Sequence, residues 1–132
     1  MNDKTSEDSH TLNWFEIPVT DAARAKKFYE TILNVSMHAV EIMGLEMVMF
    51  PPGGDRNHRV SGALIKSPYH EPSMHGTVVY LNANPSIQDV EDRIENAGGE
   101  VIIPKTLIDE ESGYMALFQD TEGNRVALHA SN

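Results

Sequence analysis

Residues 15–33 read FEIPVTDAARAKKFYETIL, and this stretch combines the signals of a strand and of a helix. Asn13–Pro18 has the composition of a short strand, and the side chain of Asp21 can accept the free N–H groups at the start of a helix. Apolar residues then recur at intervals of three and four as far as Leu33, which predicts a helix with one buried face. The stretch is therefore a strand followed by an amphipathic helix.

Three strand-like runs follow this helix, and turn residues with the sequence PPGGD come before the third of them. The runs are Val35–Val40, Leu45–Phe50 and Arg59–Ile65. The order of elements up to residue 66 is therefore β, α, β, β, β. A loop rich in Pro, Ser and His comes next.

The same order of signals then begins again. The predicted elements are a strand at Thr77–Asn82, a helix from Ile87 that ends at Gly98 and Gly99, and strands at Glu100–Lys105, Tyr114–Gln119 and Asn124–His129. An offset of about 64 to 68 residues aligns the two halves in pattern, with little identity. Because neither half could cover its own sheet, the two halves are expected to share one core.

This repeat predicts an α+β domain over residues 12–132. It consists of module one (12–66), a linker (67–75) and module two (76–130), after a flexible tail of residues 1–11. Each module is a βαβββ unit, and the paired half-sheets are expected to form a curved, partly open barrel around a cavity. Concave spaces between paired elements are common sites for small ligands.

The composition narrows the classes of function. The chain has 132 residues, no cysteine and a net charge of −10 from 20 acidic and 10 basic residues. This charge repels nucleic acid, and it fits either solubility or attraction of a cationic ligand. No run approaches the roughly 18 apolar residues of a membrane span, and the start of the chain lacks the apolar core of a signal peptide. We therefore expect a cytoplasmic protein with no membrane or nucleic-acid partner.

The opening stretch, residues 15–33, and the closing stretch GYMALFQDTEGNRVALH, residues 113–129, resemble the vicinal-oxygen-chelate superfamily. This superfamily includes glyoxalases, bleomycin-resistance proteins and ring-cleaving dioxygenases. The resemblance implies paired βαβββ modules around a cavity and association as a homodimer. In metal-dependent members, it also implies a divalent ion held by four His, Glu or Gln side chains, one on the first and one on the last strand of each module.

The residues at those four positions are not metal ligands here. The positions fall on Trp14, within Ser61–Ala63, on Thr77 and on Ala127. Because a divalent ion needs several His or carboxylate ligands, we predict no metal at this site and no other cofactor. Trp14 and Tyr29 could form an aromatic floor for a planar ligand or simply fill the core, and Ser61, Thr77 and Ala127 are the other candidate ligand-binding residues.

Two residues that lie two positions away, on the same strand faces, could carry chemistry. Glu16 and His129 could act as a general base and acid, or as two ligands of a displaced divalent metal. The alternative is that Glu16 accepts hydrogen bonds from Trp14, Tyr80 or backbone amides, and that His129 lies at a frayed chain end. His70 and His75, in the central loop, are expected to be solvated.

Three functions remain open on this basis. The leading one is metal-independent binding of a small organic molecule, as in the bleomycin-resistance branch. The second is a lyase, isomerase or dioxygenase that uses Glu16 and His129. The third is a structural or partner-binding module with a filled cavity. The sequence does not identify the ligand, the reaction or the pathway, because a fold does not fix function.

Overall fold

The computed structural model describes residues 10–53 and 60–132. The strands are β1 (Trp14–Pro18), β2 (His38–Ile42), β3 (Leu45–Met49), β4 (Ser61–Lys66), β5 (Tyr80–Asn82), β6 (Glu100–Asp109), β7 (Gly113–Gln119) and β8 (Arg125–Ala130). The helices are α1 (Ala22–Leu33) and α2 (Ile87–Ala97). The predicted order β, α, β, β, β therefore occurs twice, and the α+β prediction is confirmed.

Each module forms its own four-stranded mixed sheet. The strand order is β1-β4-β3-β2 in the first sheet and β5-β8-β7-β6 in the second. In both sheets the first and last strands of the module run parallel, and the other pairs are antiparallel. Because β1 and β5 are edge strands that do not pair with each other, the two sheets do not close into a barrel.

The two helices pack against each other and join the modules in one core. Asp21 caps α1 by accepting a hydrogen bond from the backbone N–H of Arg24, as the sequence predicts. Phe28, on α1, packs against Phe118 of β7 with ring centroids 5.9 Å apart. Both rings are almost fully buried, so α1 of module one completes the core of module two.

The turn between β7 and β8 fastens module two to the start of α1. Glu122, in this turn, accepts hydrogen bonds from the backbone N–H groups of Thr20 and Asp21 and forms an ion pair of 2.7 Å with Arg24. Its side chain is completely shielded from solvent. These contacts fix one end of β1 relative to the second sheet.

Several strand boundaries differ from the predicted ones, for local reasons. β2 begins at His38, three residues later than predicted, because Glu30 holds the backbone N–H groups of Val35 and Met37. β8 begins one residue later than predicted, because Asn124 donates its backbone N–H to the Asp120 carboxylate within the turn.

Other boundaries differ because pairing partners end or continue. β5 covers only Tyr80–Asn82, the three residues that pair with β8, instead of starting at Thr77. β6 continues past Lys105 to Asp109, since β7 pairs with it along this length across irregularities in register. Two predictions concern positions outside the described residues. They are the start at Arg59 of the strand that became β4, and residues 1–9 of the flexible tail.

No helix in the described part of the chain has the length and hydrophobicity needed to cross a membrane.

Candidate ligand-binding cleft

The facing edges of the two modules enclose a cleft of about 890 Å³. One wall comes from β1 and the start of β4, and the other from the segment that runs through residues 77–84. The polar and aromatic side chains in its walls include Trp14, Glu16, Ser61, Thr77, Tyr80 and Asn82. A mostly apolar cleft with a few polar groups at its sides is typical of a small-molecule site.

Two aromatic side chains in the cleft are exposed. Trp14 on β1 retains 40% of its accessible surface, and Tyr80 on β5 retains 54%. Large aromatic rings are normally buried, because burial removes much apolar surface from water and stabilises the fold. Exposed rings on both walls of one cleft therefore offer contact area to a ligand.

Glu16 lies in the middle of β1 and faces the same side of the strand as Trp14. One carboxylate oxygen of Glu16 is 3.0 Å from Nε2 of His70, and the other is 3.4 Å from the indole Nε1 of Trp14. The side chains of Glu16 and His70 remain 32% and 28% exposed. The carboxylate is therefore oriented by two neighbours and is still accessible.

His70 lies in the linker, and its ring contacts Ser67 as well as Glu16. Ser67 Oγ lies 2.8 Å from Nδ1 of His70 and accepts a hydrogen bond from the backbone N–H of Tyr69. The assignment that satisfies all these groups has Ser67 Oγ–H donate to Nδ1 and Nε2–H donate to Glu16. The prediction that His70 is simply solvated is therefore wrong. Its side chain holds the linker against β1.

Of the predicted pair, Glu16 lines the cleft, and His129 is not among the described residues that line it. Glu16 belongs to the first sheet and contacts His70, whereas His129 belongs to the second sheet. Nε2 of His129 lies 2.5 Å from the carbonyl oxygen of Ser112, and its backbone oxygen accepts a hydrogen bond from Ala83. His129 is thus fixed within a paired strand, and the expected frayed end is wrong.

The predicted ligand-binding residues fall into two groups. Trp14, Ser61 and Thr77 line the cleft. Tyr29 does not belong to a ligand wall, because it is fully buried and donates its hydroxyl to Asp120 at 2.7 Å. Burial, followed by the neighbouring Asp120 charge, raises the pKa of Tyr29 well above its usual value. Ala127 pairs with Tyr80 but is itself completely buried.

The side chains at the metal positions implied by the superfamily do not match the chemistry of a divalent ion. The Trp14 indole has no lone pair for a metal, and Ala127 has only a methyl group. Ser61 is paired in register with Trp14, and its hydroxyl lies within hydrogen-bonding distance of the carbonyl oxygens of Phe50 and Pro51. A site with one engaged hydroxyl and one threonine lacks the His and carboxylate ligands that such ions require.

The fold and the cleft define an α+β protein of two βαβββ modules that bind against each other and leave a ligand-sized space between them. Residues 11–128 match the Glyoxalase/Bleomycin resistance protein/Dioxygenase superfamily, and the chain belongs to this superfamily. A comparison with curated proteins gave no match.

Several solved structures share the fold. A glyoxalase/bleomycin resistance protein from Albidiferax ferrireducens T118 is 18% identical with a TM-score of 0.66, over 92% of this chain and 98% of that one. A protein of the same description from Streptomyces sp. CB03234 is 22% identical with a TM-score of 0.61, over 90% and 99%. An E144Q glyoxalase I mutant from Zea mays is 17% identical with a TM-score of 0.66, over 90% of this chain and 46% of that one.

Proposed function

We propose that this protein binds a small organic molecule in the cleft between its modules, without the metal ion of its metal-dependent relatives. The observation that carries the proposal is the cleft itself, with exposed Trp14 and Tyr80 in its walls. The side chains at the usual ligand positions support the second part, since Trp14, Ser61 and Ala127 cannot replace His and Glu ligands.

The charge of the protein favours a ligand with a cationic group. The net charge is −10, and Glu16 presents an accessible carboxylate beside Trp14. A cation over an aromatic face gains about 0.5–2 kcal/mol, depending on how much water is removed. An arylalkyl ammonium compound therefore combines the apolar, aromatic and acidic features of the cleft.

Calorimetric titration with three ligands of similar size tests this proposal. The ligands are phenethylammonium, phenethyl alcohol and phenylacetate, added to protein that has been treated with EDTA and dialysed. We expect phenethylammonium to bind most tightly and phenylacetate least. Tyr80→Ala should weaken phenethylammonium binding about five-fold or more, as loss of an aromatic contact implies.

Tyr69→Ala is the matched control, because Tyr69 is 90% exposed and does not line the cleft. It should leave the affinity unchanged. Binding that appears only after a divalent metal is added would contradict the metal-free proposal. Equal loss in Tyr80→Ala and Tyr69→Ala would show that the ligand does not occupy the cleft.

A second function, a lyase, isomerase or dioxygenase of the same superfamily, is favoured by one observation. The contact between His70 and Glu16 gives the cleft an oriented carboxylate that could accept a proton from a bound substrate. His129 would then take no part, and His70 would position Glu16. Elemental analysis of protein purified without chelators tests whether such an enzyme depends on a metal. A metal-dependent enzyme would contain about one divalent ion per chain, and Glu16→Gln would lower this metal content.

We further propose that the protein forms a homodimer in the cytoplasm. Strand β6 is an edge strand of ten residues, and Ile102, Ile103, Leu107 and Ile108 on it are 39–51% exposed. Long edge strands with exposed apolar side chains readily pair with another chain. Light scattering should give twice the 14.7 kDa chain mass, and Ile103→Lys should shift it towards the single-chain value.

A further inference from the structure

A smaller pocket of about 160 Å³ adjoins the cleft at the linker. It shares Glu16, Thr77 and Val79 with the cleft and is otherwise lined by the end of β1, by linker residues and by residues 124–126 around the start of β8. The charged side chains in its walls are Arg125, Glu71 and Glu16, together with His75. An engineered cavity of similar size holds a benzene molecule, so this pocket accommodates about six non-hydrogen atoms.

The guanidinium group of Arg125 is the basic group among the residues that line this pocket. Its Nη2 donates to the carbonyl oxygen of Gly76 at 2.6 Å, which holds the side chain in place. Its Nε is buried and has no hydrogen-bond partner among the described residues. A guanidinium group carries several donors in a planar arrangement that matches the two oxygens of a carboxylate.

The acidic residues restrict which carboxylate can bind. Glu71 and Glu16 line the same pocket, and the whole chain carries a charge of −10. A plain anion would meet repulsion from both groups. A ligand that carries an ammonium group next to its carboxylate would instead pair each of its charges with a lining group of opposite sign.

We propose that this pocket binds a small zwitterion of the amino-acid type, with its carboxylate at Arg125 and its ammonium group at Glu71 and Glu16. The proposal rests on the proposed function, because the pocket opens beside the same cleft. It specifies the ligand as one whose polar end is zwitterionic and whose remaining part extends between Trp14 and Tyr80.

Three ligands of nearly equal size isolate the two charges. L-alanine carries both charges, L-lactate replaces the ammonium group by a hydroxyl, and L-alaninamide lacks the carboxylate. Proton–nitrogen correlation spectra of the arginine Nε–H groups report directly on Arg125 during each titration. We expect L-alanine to shift the Arg125 Nε–H signal and to bind at least ten-fold more tightly than the other two.

Variants then test each wall. Arg125→Lys keeps the charge but removes the planar set of guanidinium donors, and it should weaken L-alanine binding at least ten-fold. Arg93→Lys is the matched control, because Arg93 also donates from its guanidinium group to one backbone carbonyl, that of Ile32, but lies outside the pocket. Glu71→Gln should reduce the preference for L-alanine over L-lactate.

An unperturbed Arg125 signal at saturating L-alanine overturns the proposal, and that measurement needs no variant to fold. Equal affinities for L-alanine and L-lactate overturn the role of the acidic wall. If phenethylammonium still binds in a manner that depends on Tyr80, the cleft function stands and only the zwitterion assignment fails. If neither ligand binds, the cleft function fails as well.

Discussion

Glu122→Gln should reveal how strongly one carboxylate holds the two modules together. The Glu122 carboxylate is shielded from solvent and accepts hydrogen bonds from Thr20, Asp21 and Arg24. Burial by itself would raise its pKa, but the hydrogen bonds from Arg24, Asp21, Thr20 and Thr121 outweigh burial and lower the pKa from 4.5 to about 2.

The size of this effect follows from the difference in pKa between the folded and unfolded states. A change from 4.5 to about 2 corresponds to roughly 3 kcal/mol of stabilisation. Because the Arg24 side chain is 50% exposed, solvent screens part of the ion pair, and about 2 kcal/mol is the better expectation. Since the pKa is lowered on folding, this stabilisation is complete above about pH 4.5 and is lost as the pH falls towards 2.

Urea unfolding from pH 7 down to pH 2.5 measures the difference between wild type and Glu122→Gln. The variant should be less stable by about 2 kcal/mol at pH 7, and the difference should shrink steadily below pH 4.5. Glu110→Gln, on an exposed turn, is the control and should change stability by less than about 0.5 kcal/mol. A difference between wild type and Glu122→Gln that stays constant across this range would refute the assigned role of the carboxylate.

Three further predictions concern the core and the cleft. Tyr29→Phe removes the buried hydrogen bond to Asp120 and should lower the free energy of unfolding by about 1–3 kcal/mol in urea titrations; no change would mean that this bond adds nothing. Gly99→Ala places a methyl group 2.8 Å from both the Gln119 carbonyl oxygen and the Phe28 ring, and it should lower the free energy of unfolding by about 1–3 kcal/mol. A lower midpoint of thermal unfolding would show this loss, and an unchanged midpoint would contradict it. Glu16→Gln should weaken phenethylammonium binding about three- to ten-fold in calorimetry while phenethyl alcohol binds as before; parallel losses for both ligands would instead indicate a change of shape.

The sequence predicts the order of elements well because the signals for it are local. Asp21 and Gly98 mark helix ends through contacts within one turn, and the helix caps are where the sequence places them. The strand ends were predicted less well because they depend on partners far along the chain. β6 extends to Asp109 only because β7 lies beside it.

The same distinction explains which site residues could be predicted. Trp14 reaches the cleft because its position on β1 determines which way its side chain faces, whereas Thr77 reaches it from the segment before β5. The sequence leaves Tyr29 open between a ligand wall and the core, because its acceptor Asp120 is 91 residues away and nothing near Tyr29 indicates that its hydroxyl is satisfied in the core. The contact of His70 with Glu16 spans 54 residues, so a histidine in a polar loop gave no sign of it.

The linker emerges as the element that organises the polar side of the cleft. His70 binds Glu16, while the backbone of Ser73 is hydrogen-bonded to Asn124 and Arg125. Gly76, directly after the linker, accepts a further hydrogen bond from Arg125. The linker is thus attached to β1 of one module and to β8 of the other. The charges of the smaller pocket come from linker side chains and from side chains that contacts at the linker orient. A change in the linker sequence would therefore alter ligand selectivity, while the sheets that carry the aromatic walls stay the same.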